Sequence, residues 1–460
     1  MREPAEPRRR PRLQRWHWIV IVLLLPFVAG IVAVKIRRHG LEKEIARELA
    51  AIRARGEPVT PEELDAWYPK VPDAQNGALV ITQAFAMASE IEKRGSENLS
   101  DLFKLTSQRT LSDESLIQVR QAVSAREPAL RRLQTGLEGD SFRYPIEFTN
   151  GLFTTLPHLG RLRSAAQILA LEARLAVADQ RPDLAAERLA NGLKLAETLE
   201  NEPLLISFLV RSACLEITQE QAAHCLTIGT FDDRSLARLE KALVEDSSGT
   251  GFSRAMIGER SWGLSAFSMA TNTAGLIQLG MLTGGAPGSG WAPESIKRWF
   301  EFYAYRGLAT DAEDHLHYIR SMTAIIEAHR LPPEQRLSAV SNAMWNGISA
   351  PGTSRFLISQ MMMPELERAA LRDLKMLAGT RCFRTALTLE RFRLGSGGTA
   401  PDSLDELVPK HLAAVPADPF TGQPLRYSRN GKGYVVYSIG ENALDDHGDA
   451  KLDVAFIVEK

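Results

Sequence analysis

From Trp16 to Val34 nineteen residues pass without an Asp, Glu, Lys or Arg. A helix rises ~1.5 Å per residue, so about twenty apolar residues cover the ~30 Å hydrocarbon core of a bilayer, and this block predicts a membrane-spanning helix. Trp16 and Trp18 suit the headgroup boundary, and Pro26 is tolerated where neighbouring groups satisfy the freed backbone. Beyond the block, Leu41, Ile45, Leu49 and Ile52 recur at helical spacing among charges until Gly56 and Pro58, which predicts a helical stalk. Thr60, Pro61 and Glu63 then read as N-cap, first helical residue and capping-box acid of a short helix reaching Tyr68. Pro69 and Pro72 interrupt, and helical patterning dominates from Asp73 to about Leu394.

Within that region Leu162 to Leu199 reads as a helical hairpin. Ala165, Ile168, Leu169 and Leu175 mark the first arm, Leu184, Leu189, Leu193 and Ala196 the second, with Asp179 to Pro182 as the turn. The unit resembles a single tetratricopeptide-like repeat, but no second copy follows at the ~34-residue period an extended groove of that kind needs. After Gly395-Ser396-Gly397-Gly398 the pattern changes to that of strands. Asp402 to Val408 predicts a short helix. Leu425 to Tyr427, Gly433 to Ser438 and Val454 to Val458 predict three strands, the first two joined at Gly431-Lys432. A helix from Leu371 to Leu394 lines Leu374, Ala378, Cys382, Ala386 and Leu389 along one side, where the sheet is expected to pack. The fold class is therefore mainly α: an N-terminal transmembrane helix, a helical bundle with a tetratricopeptide-like hairpin, and a small C-terminal α+β module with an antiparallel sheet. The expected parts are a basic tail over 1–15, the span over 16–34, stalk and linker over 35–72, a helical extracytoplasmic domain over 73–370, and the α+β module over 371–460.

Charge sets the orientation. Six arginines precede the apolar block, against Lys35, Arg37 and Arg38 just after it, and the more basic flank stays in the cytoplasm. This predicts a single-pass protein of a bacterial cytoplasmic membrane with its C-terminal bulk outside. A cleaved secretory signal is the alternative, but the apolar core is longer than such signals carry. The whole chain balances 55 basic against 56 acidic residues, which leaves no second basic face to extend Arg8-Arg9-Arg10 into a nucleic-acid surface. Three cysteines, Cys214, Cys225 and Cys382, are too few for a disulfide framework and read as small buried hydrophobes. A further uncharged stretch, Ser261 to Pro293, reads as a buried helix because Ser265, Ser268, Thr271, Asn272, Thr273 and Gln278 interleave its apolar residues. A second membrane segment is the alternative there.

The last eighty residues carry a family resemblance. Ser403-Leu404-Asp405-Glu406-Leu407, then Asp418-Pro419-Phe420-Thr421-Gly422-Gln423-Pro424, then Tyr437-Ser438-Ile439-Gly440 and an acidic loop resemble the globular end of a type II secretion major pseudopilin. The resemblance implies a loop that holds calcium. Its ligands here would come from Asn442, Asp445, Asp446, Asp449 and Asp453, with the cation in a structural role. Two positions depart from the family. The apolar helix contains no acid, so pilin-like polymerisation is not expected, and Asn442-Ala443 replaces the family's Asp-Gly. Gly56 to Thr60 with Asp65 to Pro69, the central helices and this tail also resemble large membrane-anchored bacterial proteins of unassigned function.

Catalytic signatures are absent. The chain has no Gly-x-Ser-x-Gly, no His-Glu-x-x-His and no phosphate loop, and the glycines from Gly284 to Gly290 lack a following Lys-Ser or Lys-Thr. Asp311, Asp314, His315 and His317 cluster at the wrong helical spacing for zinc. Glu259 beside Arg260 suggests a partly buried ion pair. The sequence thus predicts a membrane-anchored extracytoplasmic scaffold or interaction protein. The alternatives are a cell-envelope hydrolase whose site lies in the helical domain and an accessory component of a secretion or pilus system.

Overall fold

The computed structural model describes residues 13–93, 99–105, 111–244, 249–270, 305–345 and 356–460. The chain is mainly helical, 70 % by residue, with one three-stranded antiparallel sheet near its C-terminus. It divides into two compact units, one drawn from Met1–Arg55, Phe267–Arg320 and Ala350–Met361, the other from Gly56–Ala266, Ser321–Ser349 and Met362–Lys460.

In the first unit, helix α1 (Leu13–Ala54) runs without a break through the apolar block and the expected stalk, with Pro26 inside it. Its C-terminal half is tied by charge to α11 (Thr310–Ala328). Arg38 Nη2 donates to Asp311 Oδ1 at 2.6 Å and to the Arg306 carbonyl at 2.8 Å. Arg320 donates to Glu48 and Glu44 at 3.0 and 2.9 Å, and Arg37 pairs with Glu313. The stalk is therefore a docked helix, because its charges find partners on an element more than 250 residues later in the chain. Among the described residues no helix is long and apolar enough to cross a membrane. The side chains of Trp16, His17, Ile19, Ile21 and Leu23, all in the predicted span, lie outside the described residues. Most of the uncharged Ser261–Pro293 stretch lies outside them too. Its start belongs to helix α10 (Thr250–Met269), in which Trp262, Leu264 and Phe267 are buried.

The second unit holds the main core. Helix α2 (Pro61–Trp67) starts as its cap residues dictate: the Glu63 N–H donates to Thr60 Oγ1 at 3.2 Å. The Glu63 carboxylate reaches back one residue further than a capping box, accepting from the Val59 N–H at 2.9 Å. A single 3-10 turn, Asp73–Gln75, precedes α3 (Gly77–Lys93), where a long helix from Asp73 was expected. Then come α4 (Leu99–Leu105), α5 (Asp113–Leu137), α6 (Pro157–Ala178), α7 (Pro182–Glu197), α8 (Leu205–Ile228) and α9 (Asp233–Ala242). The hairpin of α6 and α7 turns at Asp179 to Arg181 as predicted, and α8 packs on both arms. After α12 (Pro333–Trp345) the chain passes through α13 (Leu357–Met362), which belongs to the first unit but for its last residue, and helix α14 (Pro364–Gly395) begins seven residues before the expected Leu371.

Strands β1 (Arg426–Asn430), β2 (Gly433–Ser438) and β3 (Val454–Val458) lie in the order β1-β2-β3. Tyr427 faces Val436, which in turn faces Phe456. The helix predicted over Asp402 to Val408 is a 3-10 turn, Leu404–Leu407, capped by Ser403. Its Glu406 carboxylate accepts from the backbone of Asp402 and Ser403, which closes the segment before a full α-turn is needed. The sheet lies on α14. Cys382, Ala386 and Leu389 are fully buried there, Phe383 stacks on Phe456 with centroids 5.0 Å apart, and the Tyr434 hydroxyl donates to the Ala386 carbonyl at 3.2 Å. One apolar cluster continues from α3 through the helices into Leu404, Leu425, Val436 and Val458, so sheet and bundle share a core.

Candidate functional site

A groove of about 610 Å³ opens between α8, α14 and the C-terminal segment, within the size range of small-ligand and peptide sites. Its third wall is decisive. Ala450 through Ile457 line it without a gap. Successive side chains of a strand point to opposite faces, so the four consecutive strand residues among them, Val454 to Ile457, mean that the groove meets the edge of β3 and not a face. Among the described residues β3 pairs with β2 alone. The C-terminal end of this edge is fixed to α8: the Glu459 N–H donates to Thr227 Oγ1 at 3.2 Å, and Lys460 Nζ donates to the Gly229 carbonyl at 2.9 Å. The floor is where α8 and α14 cross. Gln219 Nε2 donates to Thr380 Oγ1 at 3.2 Å, and a Cβ on Gly379 would sit 2.8 Å from Gln219 Oε1.

The groove's charges are unevenly spent. Arg372 pairs with Glu216, and Lys375 pairs with Glu441 at 3.3 Å. Glu220 makes no ion pair among the described residues. Its carboxyl is pushed above the usual range by loss of solvent and by neighbouring Glu216, against the pull of Arg174. His224 is held down to about 4 by burial and by Arg174, so it is neutral near pH 7. The hydroxyls are occupied: Thr227 donates to the Ala223 carbonyl at 2.8 Å while accepting from Glu459, and Ser212 accepts from Arg372 Nε at 3.1 Å. Neither is presented to a base as a nucleophile would be.

The acidic loop borders this groove. Asp445 accepts from the Tyr437 hydroxyl at 3.0 Å and pairs with Arg426 at 3.2 Å. Asn442 donates to Asp446 at 2.7 Å, and Asp449 accepts from the Lys451 N–H at 2.9 Å. Asp453, only 5 % exposed, accepts from the Gly448 N–H through Oδ2, while its Oδ1 has no hydrogen-bond partner. Burial, with Asp445 and Asp446 nearby, raises the Asp453 carboxyl. Among the described residues no three Asp, Glu, His or Cys side chains are gathered so as to hold a metal ion. Asp418, in the motif behind the family resemblance, organises the neighbouring turn. Its carboxylate accepts from the Phe420 N–H, the Ser438 hydroxyl and the Ile439 N–H at 2.8, 2.8 and 3.0 Å, pinning the end of β2.

Other polar clusters are structural. His158, Glu202 and Ser207 have the residue types of a hydrolytic triad, yet the carboxylate stands in the middle: Ser207 donates to Glu202, and His158 Nε2 lies 3.1 Å from both Glu202 oxygens. A triad needs the imidazole between hydroxyl and acid, so this buried trio has the wrong order for proton transfer from the serine. Asp311 is spent on Arg38, His315 stacks on Phe267 and His317 on Phe356. Asp314 accepts from the Ile358 and Ser359 N–H groups at 2.8 and 3.1 Å and from the Tyr305 hydroxyl at 2.6 Å. Arg260, expected beside Glu259, donates to Glu57 at 2.6 Å. All three cysteines are buried and unoxidised.

The place of the groove beside β3 was not anticipated. The continuous apolar run of β3 marked a strand, but its status as an edge depends on which element lies beside it. No protein family, curated protein or solved structure matches the chain.

Proposed function

We propose that this is an interaction protein, anchored through α1 in a bacterial cytoplasmic membrane with its C-terminal bulk outside, that receives a partner's chain in the groove along β3. The observation that carries the reading is the accessible edge of β3 inside a walled groove. A strand edge presents unpaired backbone donors and acceptors to any chain that can extend beside it. The anchor rests on α1, where Trp18, Val22, Leu25 and Phe27 are each about two-thirds exposed and the helix is apolar on all sides, as helices are in lipid or a core. Binding is favoured over envelope hydrolysis because both hydroxyls in the groove are already hydrogen-bonded and the buried serine, histidine and glutamate are in the wrong order.

A photoreactive phenylalanine analogue placed at Ala455 in the membrane-resident full chain tests the reading. A discrete cross-linked species should form from Ala455 and not from Ser428 on the opposite edge strand. Equal or absent cross-linking at the two positions would remove the groove as the interaction site.

Kinship with pseudopilins, and with it a place beside secretion machinery, is part of the same proposal and is supported by the Asp418 network. Calcium in the acidic loop is its corollary, supported by the unpartnered Asp453 Oδ1. The other carboxylates of the loop have protein partners, so a cation would have to displace them. Millimolar calcium against chelator should raise the melting temperature of the parent and not of a triple Asp445, Asp446, Asp449→Ala variant, and equal melting of both would end the calcium proposal.

A further inference from the structure

Resting on the reading of the groove as a receptor for a chain, we infer that the occupant is an extended segment that adds as a fourth strand beside β3 and places a lysine or arginine against Glu220. The backbone half follows from the geometry. Residues Val454 to Ile457 offer ~13 Å of strand edge, and no residue of the described structure extends the sheet past it. The walls are compatible with an extended guest and not with a helix: α8 and α14 form the floor beside the edge, and a helix ~10 Å across cannot satisfy the strand's backbone groups.

The charge half follows from what each ionisable group in the groove is doing. Arg372 and Lys375 are neutralised within the protein by Glu216 and Glu441. Lys451 is exposed at the loop end of the groove. Thr227, Glu459 and Lys460 mark the other end through their mutual ties to α8. Between these ends Glu220 stands without an ion pair among the described residues, beside a neutral His224 and a like-charged Glu216, with Arg174 pulling the other way, while the lining's other unpaired acid, Asp453, is buried and accepts from the Gly448 N–H. A carboxylate destabilised by lost solvent and by a neighbouring acid gains from an incoming cation, which restores its ordinary ionisation. An anionic guest would add repulsion at the same point. Alternation along the guest then sends every second side chain toward α8 and α14, where Leu215, Ala223 and Met376 supply apolar contact.

The test uses the full chain in lipid nanodiscs and three heptapeptide probes of alternating threonine and valine: one with a central lysine, one with a central glutamate, and the lysine peptide with a methylated backbone. Binding is followed by fluorescence anisotropy and by hydrogen exchange of the β3 amides. The lysine peptide should bind about fivefold more tightly than the glutamate peptide. Glu220→Gln should erase that preference and Glu220→Lys should reverse it. The methylated peptide should lose binding by tenfold or more, and the lysine peptide should slow exchange within Val454–Val458. Equal binding of the two charged peptides, or slowed exchange elsewhere with β3 unchanged, overturns the inference. Cross-links from Ala455 in membranes without protection of β3 would overturn strand addition while leaving the receptor reading standing. Lysine-peptide binding with protected β3 but no cross-link from Ala455 would support the chemistry while removing the proposed function.

Discussion

Glu172 on α6 makes the stability of the helical unit depend on pH. Its side chain is 13 % exposed and lies 3.3 Å from Arg188 Nε. Burial nevertheless pushes its carboxyl up to about 7, with the Arg188 guanidinium opposing. A carboxyl raised in the folded state is protonated there while the unfolded chain has already ionised, so the folded state binds more protons between the two values. Stability is fully present below the unfolded value near 4.5 and declines as pH rises through about 7, a loss of about 3 kcal/mol from this group. Urea unfolding at pH 4.5 and pH 8 should show a loss smaller by about that amount in Glu172→Gln than in the parent, buried Glu259 adding a loss of the same sign to both; identical changes in both would mean that Glu172 ionises freely when folded. Nothing in the sequence marks Glu172, because an acid within an alanine-rich helix reads as a surface position. Its burial depends on α7 folding back over it. Asp418 is the opposite case. An Asp-Pro pair opening a Gly-bearing turn announces local hydrogen bonding, and the side chain accepts from the turn and the neighbouring strand end. Arg260 shows the limit of reading neighbours in sequence: its acid is Glu57, two hundred positions away.

At the scale of elements, close approach is bought with glycine. In α10, a Cβ on Gly258 would overlap the carbonyl oxygen of Pro203, a rigid backbone atom. In α7, a Cβ on Gly192 would meet Thr218 of α8, 2.7 Å from Oγ1, where a side chain can give way. Gly258→Ala should therefore cost about 3 kcal/mol, near the upper end of overpacking effects, and Gly192→Ala about 1 kcal/mol. Chemical unfolding of the two variants decides it, and equal losses would show that the contact of α10 with Pro203 relaxes. The elements themselves were readable where local chemistry sets them. Pro182 fixed the start of α7, the Gly431-Lys432 turn set the β1–β2 register, and Cys382 and Ala386 of the expected row lie on the side of α14 that meets the sheet. Boundaries failed where periodicity was the only guide. The early start of α14 at Pro364 and the 3-10 turn at Leu404–Leu407 both follow from capping and packing choices that periodicity does not encode. The β3 groove was illegible for the same reason, since its walls come from residues 212–227, 372–379 and 450–459.

At the scale of the whole molecule, the proposed anchor makes a demand on α1 that water does not meet. Leu24, Leu25, Phe27, Val28, Ile31 and Val32 are all exposed, and at 100° per residue they form one apolar face about 160° wide. Apolar surface of that extent costs about 25 cal/mol per Å² in water and nothing in hydrocarbon. The basic residues at both ends suit the two headgroup regions, and the ion pairs of Arg38 and Arg320 with their partners hold the following turns in polar surroundings. If the anchor reading holds, the full chain stays in the membrane fraction after alkaline carbonate extraction, and protease added outside spheroplasts removes the C-terminal unit. Replacing Val22 and Leu25 by arginine adds about 6 kcal/mol to insertion near the helix centre, and this double variant should partition to the soluble fraction. Release of the parent chain by carbonate would refute the anchor. A carbonate-resistant chain whose C-terminal unit survives external protease would instead place that unit in the cytoplasm, reversing the orientation inferred from the arginines before Trp16.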